Sequence, residues 1–214
     1  MSCRAIVVLT LGWLGTASAF AQGNAQSASA LSARLSPATR AQLERLVDSA
    51  RASGLPAEPL VARAAEGVLK GADEARIVGA VRSLARELAA ARAVLPAGAS
   101  AATLAAGAGA LRAGVSRETL RRLSVASIGA AEGDLALALV TVADMAANQV
   151  PPTRAGEAVE QLLQRRAPAS EIMAFRETVA RDILAGVSPV DALDARSRTI
   201  LGRPAAGATI PPIP

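Results

Sequence analysis

An all-α fold of eight or nine helices, arranged as helical hairpins, is predicted for this chain by three features of its sequence. Glycine, serine and proline recur at intervals that suit helix ends. Apolar residues between these marks are spaced three or four apart, which is typical of amphipathic helices. Two segments, 55–90 and 150–185, align without a gap, the second starting 95 residues after the first.

Residues 1–21 have the pattern of a secretory signal peptide. Arg4 supplies the positive charge, residues 5–14 are apolar, and residues 19–21 (Ala-Phe-Ala) form a small-x-small cleavage site. The apolar run is too short to span a bilayer of about 30 Å as a helix. We therefore expect export to the periplasm or the extracellular space, with cleavage after Ala21. An uncleaved N-terminal anchor is the alternative.

The rest of the chain divides into three parts by composition. Residues 22–35 are small and polar and predict a flexible lead-in. Residues 36–201 carry the helical pattern and form the predicted helical domain. Residues 202–214 contain four prolines, which predicts an extended tail that is either a docking peptide or a frayed terminus.

Three helices are predicted in the first half of the helical domain. The first begins at the Ser36-Pro37 cap and ends at Gly54. The second runs from Pro56 to Lys70. The third has Asp73 as its N-cap and about 22 residues, with an apolar seam for a partner helix. The seam consists of Ile77, Val81, Leu84, Leu88 and Leu95.

The uncharged segment 96–111 has two interpretations. It is either a loose alanine and glycine linker or a helix that begins at Ser100. We favour the helix, because two leucines seven residues apart would share one face. Ser116 starts a short helix in which we expect Glu118 to pair with Arg122.

Residues 134–150 form the most apolar stretch after the first 21 residues. The alternation of leucine at 135–139 resembles a buried strand. We predict a central, buried helix instead, because alanine is frequent and no second strand is available for pairing. Asp144 in this stretch is expected to face an arginine or solvent, with a ligand role as the alternative.

The aligned segments share the pattern of a proline-started helix, a break and a second helix. We interpret this as a two-fold helix-turn-helix repeat, although alanine-rich helices also align by chance. If the two units are equivalent, they should superpose with the same packing of their two helices. The expected matches are Ile77 with Ile172 and Leu88 with Ile183 in the core, and Arg86 with Arg181 on the outer surface.

The composition excludes several classes of site. The chain has one cysteine, Cys3, and neither histidine nor tyrosine. This composition excludes catalysis by Ser-His-Asp or Cys-His groups. It also excludes zinc or haem sites built on histidine or cysteine. Glycine-rich nucleotide motifs are also absent from the sequence. Of the catalytic arrangements considered, those based on carboxylates or on a serine paired with Lys70 remain. We expect that the protein is not an enzyme and that it binds no cofactor or metal.

The charge pattern does not indicate a nucleic-acid-binding protein. The net charge is +5 over 214 residues, and few aromatic side chains are available to stack on bases. The acidic pairs Glu157/Glu160 and Asp191/Asp194 lie three residues apart, which suits an acid/base pair, a weak calcium site or an exposed helix face. We favour the exposed face, with Asp194 paired to Arg198.

The segment Gly54-Leu55-Pro56, followed by residues 66–71 (EGVLKG), resembles a motif of uncharacterised, exported, alanine-rich helical bacterial proteins. The resemblance covers residues 54–71. It implies an all-helical envelope protein and nothing about ligands. Glu66 and Lys70 stand four residues apart, which favours an ion pair, and a contact role for Lys70 is the functional interpretation.

These observations favour a non-enzymatic protein-interaction or scaffold role in the cell envelope. The expected contact surface is a groove between hairpins or an arginine-rich face that binds a protein partner. One alternative is arginine-mediated binding to anionic envelope polymers or to lipid headgroups at a membrane surface. The second alternative is an enzyme that uses carboxylates or a Ser-Lys pair. The candidate contact residues are Glu66, Lys70, Arg86 and Arg181.

Overall fold

The computed structural model describes residues 34–131 and 133–201, and nine α-helices and no strand occur in these residues. The predicted all-α fold of eight or nine helices is thereby confirmed, and the strand alternative for 135–139 is wrong. The predicted signal peptide, most of the lead-in and the extended tail lie outside the described residues. The helices are α1 Pro37–Ala52, α2 Glu58–Leu69, α3 Glu74–Arg92, α4 Ala101–Arg112, α5 Arg117–Ala126, α6 Asp134–Ala147, α7 Pro152–Gln164, α8 Ala169–Leu184 and α9 Pro189–Leu201.

Four helices begin at the side-chain caps that the sequence predicts. Each cap accepts a hydrogen bond from the backbone N–H three residues later, which satisfies a donor that the helix itself leaves unpaired. Because α4 begins directly after its cap, the linker interpretation of 96–111 is wrong. The caps are Ser36, Asp73, Ser100 and Ser116.

Helix α3 is shorter than its apolar seam suggests. It ends at Arg92, so Leu95 is buried in the turn beyond the helix rather than on its face. Pro96 gives the reason, because a proline disfavours helical backbone in the residue before it. The seam prediction is therefore correct for burial and wrong for the extent of the helix.

One type of connection recurs between consecutive helices. A residue in the left-handed conformation ends the helix, and the apolar residue after it donates its N–H to the carbonyl five residues back. This is the Schellman motif, which satisfies carbonyls at a helix end. The repeated turn lets successive hairpins stack in a similar way. The left-handed residues are Gly54, Gly71, Gly114, Gln149, Arg166 and Gly186.

The stacking gives two layers over much of the chain. Helix α4 packs on α6 and α6 on α8, while α5 packs on α7 and α7 on α9. In the first part, α3 contacts α1, α2 and α4. Contacts between near neighbours in sequence are typical of helical solenoids. Helix α6 contacts α4, α5, α7 and α8, as expected of the predicted central helix, but it is not buried on all sides, because Val140 and Asp144 are exposed.

A carboxylate fastens the start of α3 to the start of α1. Glu74 accepts hydrogen bonds from the Ser36 backbone N–H at 2.6 Å, from the Ser36 hydroxyl at 2.7 Å and from the Thr39 hydroxyl at 2.5 Å. These donors, led by the Thr39 hydroxyl, hold the pKa of the Glu74 carboxyl below its usual value. The cap of α1 is thus shared with α3, which positions the first helix on the stack.

The two aligned segments match in helix boundaries but not in packing. Helices α2 and α3 pack along each other, whereas α7 and α8 scarcely touch, so the expectation of equal packing is wrong. Position 67 accounts for the difference. A Cβ built on Gly67 would lie 2.7 Å from the Ile77 side chain, so glycine lets α3 approach the α2 backbone. The aligned residue is Leu162, which is buried and carries a full side chain at this position.

The expected matches between the segments hold in part. Ile77 and Ile172 are both buried, and the side chains of Arg86 and Arg181 are both exposed. The second core match fails, because Leu88 is fully buried while Ile183, its counterpart, is half-buried. The two units therefore share helix lengths and turns, but they differ in how their helices pack.

A groove between α5 and α7

A groove of about 700 Å³ lies between α5 and α7. The two helices meet closely near their N-terminal ends, where a Cβ on Gly156 would overlap the Thr119 methyl group. The α7 wall of the groove is formed farther along, by Glu160 and Gln164, and by Arg166 in the turn after the helix. We call this cavity, with its walls from residues 118–128 and 160–166, the α5–α7 groove.

Three arginines and two glutamates line the α5–α7 groove. Arg121 binds Glu118 at 2.9 Å within α5, and Arg122 reaches across the groove to Glu160 at 3.4 Å. The Arg122 atom in this contact is the buried Nε, which forms an ion pair with Glu160 but makes no hydrogen bond to any residue that the structure describes. With the third cation, Arg166, the described residues of the lining carry one positive charge in excess.

Arg166 reaches the groove from the turn between α7 and α8. Its guanidinium lies over the turn that follows α5, where a Cβ on Gly129 would be 3.5 Å from the Arg166 Nη2. Its backbone is in the left-handed region, with φ +59°. Such a conformation is uncommon for residues other than glycine. A long cationic side chain therefore extends from a backbone position that favours glycine.

The apolar part of the groove is exposed to solvent. The side chains of Val125 and Ile128 are 66% and 68% exposed, at the end of α5 and just after it. Single exposed aliphatic residues are common on protein surfaces, but apolar side chains grouped within a polar rim mark interaction sites. Here two such residues share one concave surface with the arginines.

The predicted contact residues lie elsewhere. Lys70 binds Glu66 at 2.5 Å at the end of α2, and Arg63 binds the same carboxylate at 2.9 Å. The hydrogen bond from Lys70, followed by that from Arg63, holds the pKa of the Glu66 carboxyl below its usual value. This group is an exposed ion-pair cluster.

Arg86 on α3 and Arg181 on α8 complete the set of predicted contact residues. Among the described residues, Arg181 lies apart from the other three, because α8 packs against neither α2 nor α3. The four predicted contact residues therefore do not form one site in this part of the chain.

Two expected ion pairs are replaced by pairs between helices. Glu118 binds Arg121 rather than Arg122, because Arg122 is turned towards Glu160 on α7. The sequence spacing along α5 allows either partner, and packing against α7 decides between them.

The second replacement lies on α9. Asp194 binds Arg154 on α7 at 2.5 Å, while Arg198 donates to the Asp194 backbone carbonyl. Asp144 is exposed and binds Arg176 at 3.1 Å, as its arginine-facing interpretation predicts. Of the two acidic pairs, Glu160 and Asp194 thus bind arginines of other helices, whereas Glu157 and Asp191 are exposed, as the exposed-face interpretation predicts.

A second depression, of about 370 Å³, lies where α1 meets α2 and α3, and its wall contains Leu43, Val47, Leu60 and Val61. Across residues 34–131 and 133–201, no three metal-binding side chains cluster closely enough to hold an ion. None of the helices described in these ranges combines the length and the hydrophobicity that crossing a membrane requires.

Sequence reasoning missed the α5–α7 groove, although a signal was present. The alignment of the two segments places Arg166 opposite Gly71, so an arginine stands where the first unit has a helix-ending glycine.

No family model, curated protein or solved structure matches this chain. The geometry of the groove is therefore the observation from which a function is inferred.

Proposed function

We propose that the protein is a non-enzymatic binding protein of the cell envelope, with a protein-interaction or scaffold role, and that its partner binds in the α5–α7 groove. One observation carries the proposal: the exposed Val125 and Ile128 lie in the same concave surface as three arginines. Arginine is enriched at protein interfaces, and exposed apolar side chains grouped within a polar rim mark interaction sites.

The architecture supports this role. In a stack of helices, each helix contacts near neighbours, and the grooves between them remain available to partners. A partner that covers Val125 and Ile128 removes their apolar surface from water, which favours the complex.

Export is part of the proposal and rests on the sequence. Residues 1–21 carry the charge, the apolar run and the small-residue site of a signal peptide. The resemblance of residues 54–71 to exported helical proteins is in keeping with this. We propose that the mature chain begins at Gln22 and acts in the periplasm or outside the cell.

Site-specific photo-crosslinking in cells tests the proposal. The chain is expressed with its own N-terminus, and a photoreactive amino acid replaces Val125 or Ile128. The matched control carries it at Leu69 on α2, which is 73% exposed and lies outside the groove. We expect the envelope or extracellular fraction to contain a chain whose intact mass corresponds to a sequence that begins at Gln22. We also expect a discrete crosslinked protein from positions 125 and 128 only.

Two results contradict the proposal. Equal crosslinking from Leu69 and from the groove positions would show that exposure alone produces the product. A chain that keeps residues 1–21 and stays in the cytoplasm would contradict the envelope role.

A further inference from the structure

We propose that Arg166 is a ligand-binding residue and that the α5–α7 groove takes an acidic, amphipathic segment of a protein partner. The inference rests on the proposed function and specifies the chemistry of the partner. Its first support is the backbone of Arg166, which is left-handed at φ +59°. A residue held in an unfavourable conformation is a reason to look for a functional role.

The turn itself does not require an arginine. Gly71 occupies the aligned place in the first unit, with φ +67°, and the helices before and after it have nearly the same bounds. Gly54, Gly114 and Gly186 end other helices in the same way. Glycine adopts this conformation without steric cost, so arginine at 166 is not explained by the turn.

The position of the side chain supplies the second support. The Arg166 guanidinium lies over the Gly129 turn and lines the groove together with Arg121 and Arg122. Arg121 and Arg122 have glutamate partners, and the lining residues that the structure describes carry one positive charge in excess. A guanidinium offers five donors in a plane and binds a carboxylate through two of them. The groove is therefore complementary to a carboxylate at this end.

The apolar side chains identify the rest of the ligand. Val125 and Ile128 line the same groove and are largely exposed. A partner that carries acidic residues on one face and aliphatic residues on the other satisfies both features. We favour a peptide segment over a membrane surface because the arginines line a recess that also contains Glu118 and Glu160. A flat bilayer surface does not enter such a recess, whereas the side chains of a peptide segment can.

The test compares two substitutions of the same kind. Arg166→Gly removes the side chain from the groove, and Gln149→Gly changes the one other left-handed residue that is not glycine in the part of the chain described, with φ +64°. Gln149 does not line the groove. Both variants should keep or raise the urea midpoint of unfolding, because glycine relieves the backbone at each site. Only Arg166→Gly should affect binding.

Binding is measured by fluorescence anisotropy with a labelled synthetic helical peptide that has glutamate on one face and leucine on the other. Its control has lysine in place of glutamate. We expect Arg166→Gly to weaken binding of the acidic peptide about tenfold or more, the effect of losing a hydrogen bond to a charged group. Binding should also weaken as salt rises. Gln149→Gly should bind like the unchanged chain.

Four results overturn the inference. They are a lower urea midpoint for Arg166→Gly alone, unchanged affinity of that variant, equal binding of the lysine peptide, and no binding of the acidic peptide. Binding to phosphatidylglycerol vesicles without binding to the acidic peptide would assign the groove to a membrane surface instead. Failure here leaves the crosslinks from positions 125 and 128 unaffected, so the two proposals fail separately.

Discussion

Truncation of Phe175 to alanine is expected to lower the free energy of unfolding by about 3–5 kcal/mol, the range for removing a buried aromatic ring. Phe175 lies on α8 and is 1% exposed, within a core that runs continuously through the stack. It is the one aromatic residue in 34–201, so no other ring can fill the space. The loss combines the removed apolar surface with the cavity that remains.

The measurement is urea unfolding followed by far-ultraviolet circular dichroism, since no tryptophan lies within residues 34–201. Met173→Ala is the control on the same helix, because Met173 is 39% exposed and should lose less than about 1 kcal/mol. Phe175→Leu should cost less than Phe175→Ala, since it leaves a smaller cavity, and it provides a folded variant if the alanine variant does not fold. Equal losses for Phe175→Ala and Met173→Ala would contradict the described core.

The second large effect is expected at the aligned isoleucines. Ile77→Ala and Ile172→Ala should each lower the free energy of unfolding by about 2–5 kcal/mol, because both side chains are buried. Arg86→Ala and Arg181→Ala are the exposed controls and should change stability by at most about 1 kcal/mol. Urea unfolding of the four variants provides the comparison.

The isoleucine variants also test why the two units pack differently. Gly67→Ala should destabilise the unchanged chain, since the new Cβ would lie 2.7 Å from the Ile77 Cγ1. In the Ile77→Ala background the space is open, and the same substitution should stabilise by up to about 1 kcal/mol through helix propensity. A change of the same sign in both backgrounds would show that Gly67 does not set the approach of α3 to α2.

Local structure was predictable wherever one residue type has one physical role. Ser100 and Ser116 cap helices because their hydroxyls accept a backbone N–H, and Gly71 ends α2 because glycine adopts the left-handed conformation freely. These effects act within a few residues. A sequence pattern of that length is enough to locate helix ends. At Leu95 the apolar spacing alone predicts that the helix continues, but Pro96 disfavours helical backbone at this residue.

The candidate site depended on packing between helices, which spacing along one helix does not determine. Arg122 binds Glu160 rather than Glu118 because α7 lies beside α5. The groove walls come from segments about 40 residues apart, joined by the close approach at Gly156. Arg166 was visible as a mismatch with Gly71, but its direction towards the groove follows from the fold.

Amide hydrogen exchange of the chain with and without the acidic peptide tests the central claim, that the α5–α7 groove is the binding surface, most directly. Exchange reports local opening along the backbone, so a bound segment slows it where contact is made. We predict additional protection confined to residues 117–128 and 160–166. Protection confined instead to α1 and α2, or unchanged exchange at saturating peptide, would contradict the account.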